Sequence, residues 1–410
     1  MFEIIIGIIA IAALLSFINA RILKLPETIG VMILSIGVSL FLGASYFFHH
    51  SVFVQICHIV DQIEFREILF DFLLGVLLFA GAIHVDLNYL LKQRLSVTLY
   101  ATLGVILSTF LIGSLFYYLT QSFGLPVDYL YCLVFGALIS PTDPVAVLAI
   151  LRKVNASKNT EIKIVGESLF NDGVGIVVFL SIFSLATMMQ EFEISSIVRE
   201  FTFEAGGGIL MGILLGFLGR KLIRLVVSEP IIAVHISLAI VLGGYSLSSW
   251  FHVSGALAMV VAGLIMGQGI SQEENTGKLK QHMGIFWDVL DEIFNAVLFV
   301  LIGMEVISLK FEFLYVPVSI ISIIIVLLSR YVVIYVLDLV LPGHQKAGRK
   351  ERKILTWGGL RGGISIALAL TLPESELRDT IVFTTYVVVV FSIVVQGLTI
   401  EKLLLKTYKQ

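Results

Sequence analysis

Charge and cysteine are both scarce in this chain. Only 14% of its 410 residues are charged, and its two cysteines, Cys57 and Cys132, are too few for a disulfide framework and have no metal-ligand spacing, so both are expected to be packing residues. Proline numbers only eight, no low-complexity tail is present, and no loop between apolar runs is long enough for a soluble domain. A basic n-region is also missing from the opening MFEIIIGIIAIAALLSFINA, whose positive flank, Arg21 and Lys24, comes afterwards. The first apolar run is therefore expected to be a retained span and not a cleaved leader. The net charge of −3 says little by its sign, and no nucleic-acid partner is expected. What fills the chain instead is hydrocarbon: 58% of residues are hydrophobic and the mean hydropathy is +1.00. Such a composition belongs to an integral membrane protein.

The apolar runs predict thirteen helical spans, at 2–20, 27–48, 66–85, 95–120, 129–150, 161–189, 203–222, 231–250, 253–268, 284–308, 314–341, 353–372 and 379–401. Charge tests the count. With the N-terminus outside, the inner loops and tail take 21 of the 27 Lys and Arg residues, and the outer loops take only Arg66, Arg199, Lys310 and Arg378. Two, Arg330 and Arg361, are left inside spans. This positive-inside asymmetry fixes the expected orientation, with the C-terminus in the cytoplasm.

The chain is arranged around residues 137–180, where ALISPTDPVAVLAI and GESLFNDGVGIVVFL place Asp143, Glu167 and Asp172 inside two consecutive spans. A carboxylate in a membrane helix is costly and marks a functional pathway unless shown otherwise. In the sixth span, Glu167 and Asn171 are four residues apart and share one face, while Ser168 and Asp172 share the neighbouring one. The Ser168 and Asp172 face offers hard oxygen ligands to a small cation, and the Glu167 and Asn171 face offers acceptors to a partner such as an arginine. In the fifth span, Pro141 and Pro144 lack an N–H, so the carbonyls of Ala137 and Ser140 lose their helical partners. Freed carbonyls at that depth must line protein or a watery cavity. Thr-Asp-Pro is also a good helix start, with Thr142 or Asp143 capping, but its apolar flanks argue against an ordinary loop.

The twelfth span, ILTWGGLRGGISIALAL, is interrupted as well, by four glycines around Arg361. Lying an odd number of spans from the fifth, it runs the opposite way, and a matched pair of broken segments in inverted halves points to a secondary-transporter site. Close helix packing is the plainer account of the glycines, though Arg361 among them argues for more. Arg330, mid-way along IVLLSRYVVIYVLDL, is too deep to snorkel and needs an internal anion, for which Glu167 is the natural choice. Asn295, in IFNAVLFVLIG, is expected to bond to a neighbouring helix rather than to act as a ligand. Asp338 either lines an approach or marks a helix end.

At TDPVAV, GESLFNDGVGIVVF and GGLRGGISIALAL the sequence closely resembles the monovalent cation/proton antiporters of the NhaP and sodium/hydrogen exchanger type, over nearly its whole length. The resemblance implies an all-α membrane fold of about thirteen spans with inverted repeats, crossed and unwound fifth and twelfth spans, a homodimer, and elevator-like alternating access. It implies a core that includes 129–189 and 314–401, with dimerisation through the remaining spans, roughly 1–65 and 203–250. Asp172 would be the shared cation and proton site, assisted by Ser168, Asp143 and the main chain at Thr142, with Na⁺ as transported ion rather than resident metal. Glu167 and Asn171 would bond to Arg330, and Arg361 would belong to the same structural polar network. No cofactor and no enzymatic activity are implied, and the location would be the cell (inner) membrane. Many archaeal members carry a third-span glutamate that helps coordinate the ion; here Ala80 occupies that position. That substitution leaves Na⁺, Li⁺ and K⁺ all open as substrates.

With Asn171 where some relatives have a second aspartate, one titrating carboxylate remains, which implies electroneutral exchange. The rival on the same scaffold is K⁺/H⁺ antiport. A rival from another class is an intramembrane aspartyl protease using Asp143 and Asp172, for which a buried arginine and two broken spans have no role.

Overall fold

The computed structural model describes residues 2–44, 65, 68–125, 127–154, 156–187, 194–272, 277–343 and 345–408. Cys57 and Arg66 lie outside the described residues, while Cys132 is a buried free thiol. Among the described residues there is no strand, and each expected span has a helical counterpart. Seven of these helices are long and apolar enough to cross a membrane by length and composition. The fifth and twelfth fall short because a break divides each of them.

The first span, Phe2–Ile18, runs into a π turn, Asn19–Leu23. There the buried Asn19 amide closes the turn toward the second span, Glu27–Ala44, by donating to the Leu25 carbonyl at 3.0 Å and accepting from its N–H at 3.3 Å. The third span joins a π turn, Ile68–Leu73, to the helix Leu74–Ile83. A short helix that the hydropathy pattern did not suggest, Leu87–Lys92, follows, capped by Asp86 on the N–H groups of Asn88 and Tyr89. The fourth span is Arg94–Ala101 with Leu103–Ser122, and the sixth is one helix, Lys158–Thr187. The seventh to ninth spans are Ile194–Leu225, Pro230–Trp250 and Gly255–Gln272. The tenth helix, Gly277–Met304, begins a full two turns before its apolar run, because the polar Lys278–His282 stretch continues the helix beyond the hydrocarbon. The eleventh span is Tyr315–Val340, and the thirteenth is Glu376–Phe391, a π turn at Ser392–Gln396 and Gly397–Tyr408.

The fifth and twelfth spans are each split. The fifth is Tyr129–Ile139 and Val145–Lys153, and the twelfth is Arg349–Trp357 and Gly363–Leu370. The second halves restart where Pro144 and the Gly362–Gly363 pair interrupt the i→i−4 ladder. The fifth span packs against the fourth and sixth, and the eleventh against the fourth and thirteenth; the ninth packs against the third and seventh, and the tenth against the first and second. The seventh and ninth approach closely through a glycine stripe: a Cβ on Gly212 would stand 2.5 Å from the Ala258 carbonyl.

Buried polar contacts hold the first half of the twelfth span in place. Lys163 of the sixth span, its side chain 3% exposed, pairs with Glu351 at 3.1 Å. Asp338 proves to be neither a cavity wall nor a bare helix end: it accepts from the Tyr100 hydroxyl at 2.6 Å and from the Ala347 N–H at 3.1 Å, tying the eleventh span to the fourth and to the loop that enters the twelfth.

Candidate functional site

The two split spans meet at their breaks. The Asp143 N–H donates to the Leu360 carbonyl at 2.8 Å, an isolated antiparallel bridge in an otherwise helical molecule. Asp143 also caps the restarted helix, accepting from the Val145 N–H at 2.9 Å, so Thr-Asp-Pro is a helix start placed inside a span. Arg361, 2% exposed, reaches from the twelfth break to the fifth: its Nη1 donates to the Ser140 carbonyl and, at 3.0 Å, to the Pro141 carbonyl. The carbonyl that Pro144 deprives of its helical donor thus receives a guanidinium instead. The Arg361 N–H in turn donates to Ser392 Oγ at 2.9 Å, and Ser392 donates to Gln396 within the thirteenth span's π turn.

Two of the four glycines around Arg361 are explained by what stands opposite them. A Cβ on Gly362 would lie 2.6 Å from Asp143 Oδ2, and one on Gly359 would lie 2.9 Å from Arg330 Nε. These glycines admit a carboxylate and a guanidinium, which goes beyond helix-to-helix packing.

Arg330 and Glu167 form a forked pair, with Nη1 on Oε1 and Nη2 on Oε2, the latter at 2.9 Å. Both are buried, at 6% and 1% exposure. Arg330 Nη2 also approaches the Leu355 carbonyl at 3.4 Å. Asn171 does not join them. Its Nδ2 donates to Thr142 Oγ1 at 2.8 Å, and Thr142 Oγ1 lies 3.1 Å from Ser168 Oγ. The expectation that Asn171 bonds to Arg330 therefore fails, because the amide is turned toward the fifth-span break, leaving its Oδ1 and Arg330 Nε each without a partner among the described residues.

Asp172 is left alone. It is 9% exposed and makes no hydrogen bond or ion pair with another described residue. It opens onto a cavity of about 530 Å³, lined on one side by Thr142, Asp143, Ser168, Asp172, Gly362, Gly363 and Ser365. The opposite wall comes from the second, third and tenth spans: Glu27, Thr28, Leu77, Leu78, Gly81, Asp288, Asp291, Glu292 and Asn295. Ala80 is 1% exposed and stands behind that wall, so the third span contributes no polar side chain to it.

Sequence reading missed Ser365 and the tenth-span face. The first sits in the turn just after a break, where a hydroxyl has no helical carbonyl behind it. The second was legible as spacing, since Asp288, Asp291, Glu292 and Asn295 recur every three to four residues and share one helix face. Asn295 itself bonds along its own helix, Nδ2 to the Asp291 carbonyl at 2.9 Å, and not to a neighbouring helix as expected. Chemically, the arrangement presents an unpaired carboxylate beside hydroxyl oxygens at the floor of an acidic, partly polar cavity. Its nearest buried cations are occupied elsewhere, Arg330 by Glu167 and Arg361 by main-chain carbonyls. Such a site attracts cations.

Comparison with known proteins agrees with this geometry. The chain is 42% identical to the Na⁺/H⁺ antiporter NhaP of Pseudomonas aeruginosa, across 100% of this chain and 97% of that one. It is 32% identical to the Na⁺/H⁺ antiporter NhaH of Halobacillus dabanensis, across 94% and 93% of the two. Its fold matches that of the sodium proton antiporter MjNhaP1 from Methanocaldococcus jannaschii with a TM-score of 0.77 at 22% identity, covering 100% of this chain and 99% of the other. A second structure of that antiporter, at pH 8, gives a TM-score of 0.75 at 21% identity, with coverage of 98% and 97%. The family profile described as sodium/hydrogen exchanger, transmembrane, matches residues 8–406, and the chain belongs to that family.

Proposed function

We propose that the protein exchanges Na⁺ for H⁺ across the cell membrane, the two ions occupying Asp172 in turn. The observation that carries this reading is the isolation of the Asp172 carboxylate: it faces the cavity without a cationic partner, while the neighbouring Glu167 is neutralised by Arg330. A bare carboxylate at the crossing of two broken spans can bind a cation or a proton, but not both at once. Asp143, Ser168 and Thr142 supply the surrounding oxygens. The acidic residues opposite lie toward the ends of the second and tenth spans that the distribution of Lys and Arg assigns to the cytoplasm, so the cavity is open inward.

With one titrating carboxylate, either ion leaves the site equally charged and exchange is electroneutral. Alternating access follows if the fifth, sixth, eleventh, twelfth and thirteenth spans move as a core, including 129–189 and 314–401, against dimerising spans that include roughly 1–65 and 203–250. Antiport is named for the relatives in Pseudomonas and Halobacillus, which supports the same reading. Asp143 and Asp172 share one cavity, as an aspartyl protease would also require, but Asp143 is engaged as a helix cap and the family is one of exchangers.

The test is transport by purified protein in liposomes, with Na⁺, Li⁺ and K⁺ gradients applied separately. Wild type drives proton flux, and Asp172→Asn, which keeps shape but cannot exchange a proton, carries none. Substantial cation-driven flux in the asparagine variant removes Asp172 from the mechanism, and flux with K⁺ alone turns the reading to K⁺/H⁺ antiport.

A further inference from the structure

We propose that the side-chain oxygen of Asn295 is a ligand for the transported alkali cation, contributed from across the cavity to Asp172; this rests on the antiport reading above. The amide's orientation is dictated by chemistry. Nδ2 donates to the Asp291 carbonyl at 2.9 Å. Only the NH₂ end can serve that acceptor, so Oδ1 is the end left over, and it has no donor among the described residues. Asn295 is 4% exposed and lines the cavity that Asp172 and Asp143 line. Its oxygen is therefore available there to a cation rather than held by a donor of the protein. A partly dehydrated cation is what the cavity is built to receive.

The rest of that wall singles out the same residue. The third span contributes only apolar side chains and Gly81, with Ala80 withdrawn behind them. On the tenth span, Asp288 and Glu292 are exposed and Asp291 is intermediate, which leaves Asn295 the buried polar member at the deep end of the face. Seven residues of helix separate Asp288 at the mouth from Asn295, a descent of about 10 Å. A neutral oxygen at this point also suits one-for-one exchange. It binds a cation without taking up a proton, so it favours Na⁺ over H⁺ at Asp172 without adding a charge to the site. Because Asn295 is on the tenth span and Asp172 on the sixth, the bound cation bridges the two walls and a bound proton does not.

The experiment compares wild type, Asn295→Leu, Asn295→Asp and Asp172→Asn in the same liposome assay, with the cation concentration at half-maximal flux and the maximal flux measured separately for Na⁺, Li⁺ and K⁺. Asn295→Leu is expected to raise the half-maximal Na⁺ concentration about tenfold, the equivalent of ~1.4 kcal/mol, to change the Li⁺:Na⁺:K⁺ ratio, and to keep the maximal flux. Asn295→Asp, which retains the oxygen, is expected to stay at or below the wild-type value. A purely structural role would lower maximal flux alike for all three ions and leave the half-maximal concentrations alone, and that result overturns the inference. If the leucine variant does not fold, an aspartate variant with a raised half-maximal concentration overturns it equally. Wild-type flux that is lost in Asp172→Asn but accompanied by an unaltered Asn295→Leu sinks this inference alone. An inactive wild type sinks the antiport reading instead.

Discussion

Arg330→Ala is the most informative single perturbation of the fold. In the native structure both guanidinium Nη atoms meet both oxygens of Glu167, and the pair is almost completely shut off from solvent, at 6% and 1% exposure. Removing the arginine leaves a carboxylate with no other described donor at membrane depth. Stranding one member of a buried pair typically costs about 3 to 5 kcal/mol, more than the net worth of the intact pair. Glu167→Gln alone strands the guanidinium at comparable cost. The double variant, Arg330→Ala with Glu167→Gln, strands only a neutral amide, whose penalty is about 1 to 3 kcal/mol. It should therefore be more stable than either single variant, with a coupling energy of about 3 kcal/mol or more, at or above the top of the ~0.5 to 3 kcal/mol range typical of contacting residues. Thermal midpoints of the four proteins in one detergent, scanned at one heating rate because such unfolding is often irreversible, provide the measurement. A double variant whose loss equals the sum of the two single losses would refute the pairing, and with it the argument that Asp172 is left unpaired because Glu167 is not.

Three further outcomes follow from the same geometry. Gly362→Ala should depress transport and cost about 1 to 3 kcal/mol by overpacking, since its Cβ would meet Asp143 Oδ2 at 2.6 Å and the Asp143 backbone, pinned to Leu360, cannot retreat; wild-type flux and thermal midpoint would contradict this. Asn171→Ala removes one hydrogen bond, to Thr142, and should lower stability by only about 1 kcal/mol, far less than Arg330→Ala in the same thermal assay. Na⁺-driven proton flux should not respond to a membrane potential imposed with K⁺ and valinomycin, whereas a mechanism moving one net charge would feel about 2.3 kcal/mol per 100 mV.

How much of this could be read from the sequence depends on what each residue is answerable to. The spans were legible because hydrocarbon thickness sets their length and Lys and Arg mark their inner ends. The Glu167 and Arg330 pair was legible because an arginine far from either interface has to find an anion, and few are available. The partner of Asn171 was not, since an amide has donors and acceptors on one short stem and only the angle at which the sixth span crosses the fifth break turns it to Thr142. Arg361 was visible as a buried charge, yet its role as donor to the Ser140 and Pro141 carbonyls required knowing that the two breaks coincide in space. The tenth-span face was visible as spacing but not as part of a site. Asp288, Asp291 and Glu292 fall near a span end, where acidic residues ordinarily meet water, and nothing local distinguishes an interface from the mouth of a cavity.

Interrupted helices are usually thought of as hinges, where a chain bends most easily. Here the interruption is riveted. Bending either span at its break would pull Asp143 from Leu360, and Arg361 from Ser140 and Pro141, exposing main-chain groups to hydrocarbon that cannot hydrate them. The two breaks are thereby tied to each other, so a displacement of one span at this point carries the other with it. Compliance must then be found elsewhere, where the tenth span meets this joint through apolar contacts such as Leu298 against Gly363 and not through hydrogen bonds. A substitution that loosened the rivet would not make the protein more mobile in any useful sense; it would let Asp143 and the twelfth-span glycines drift apart.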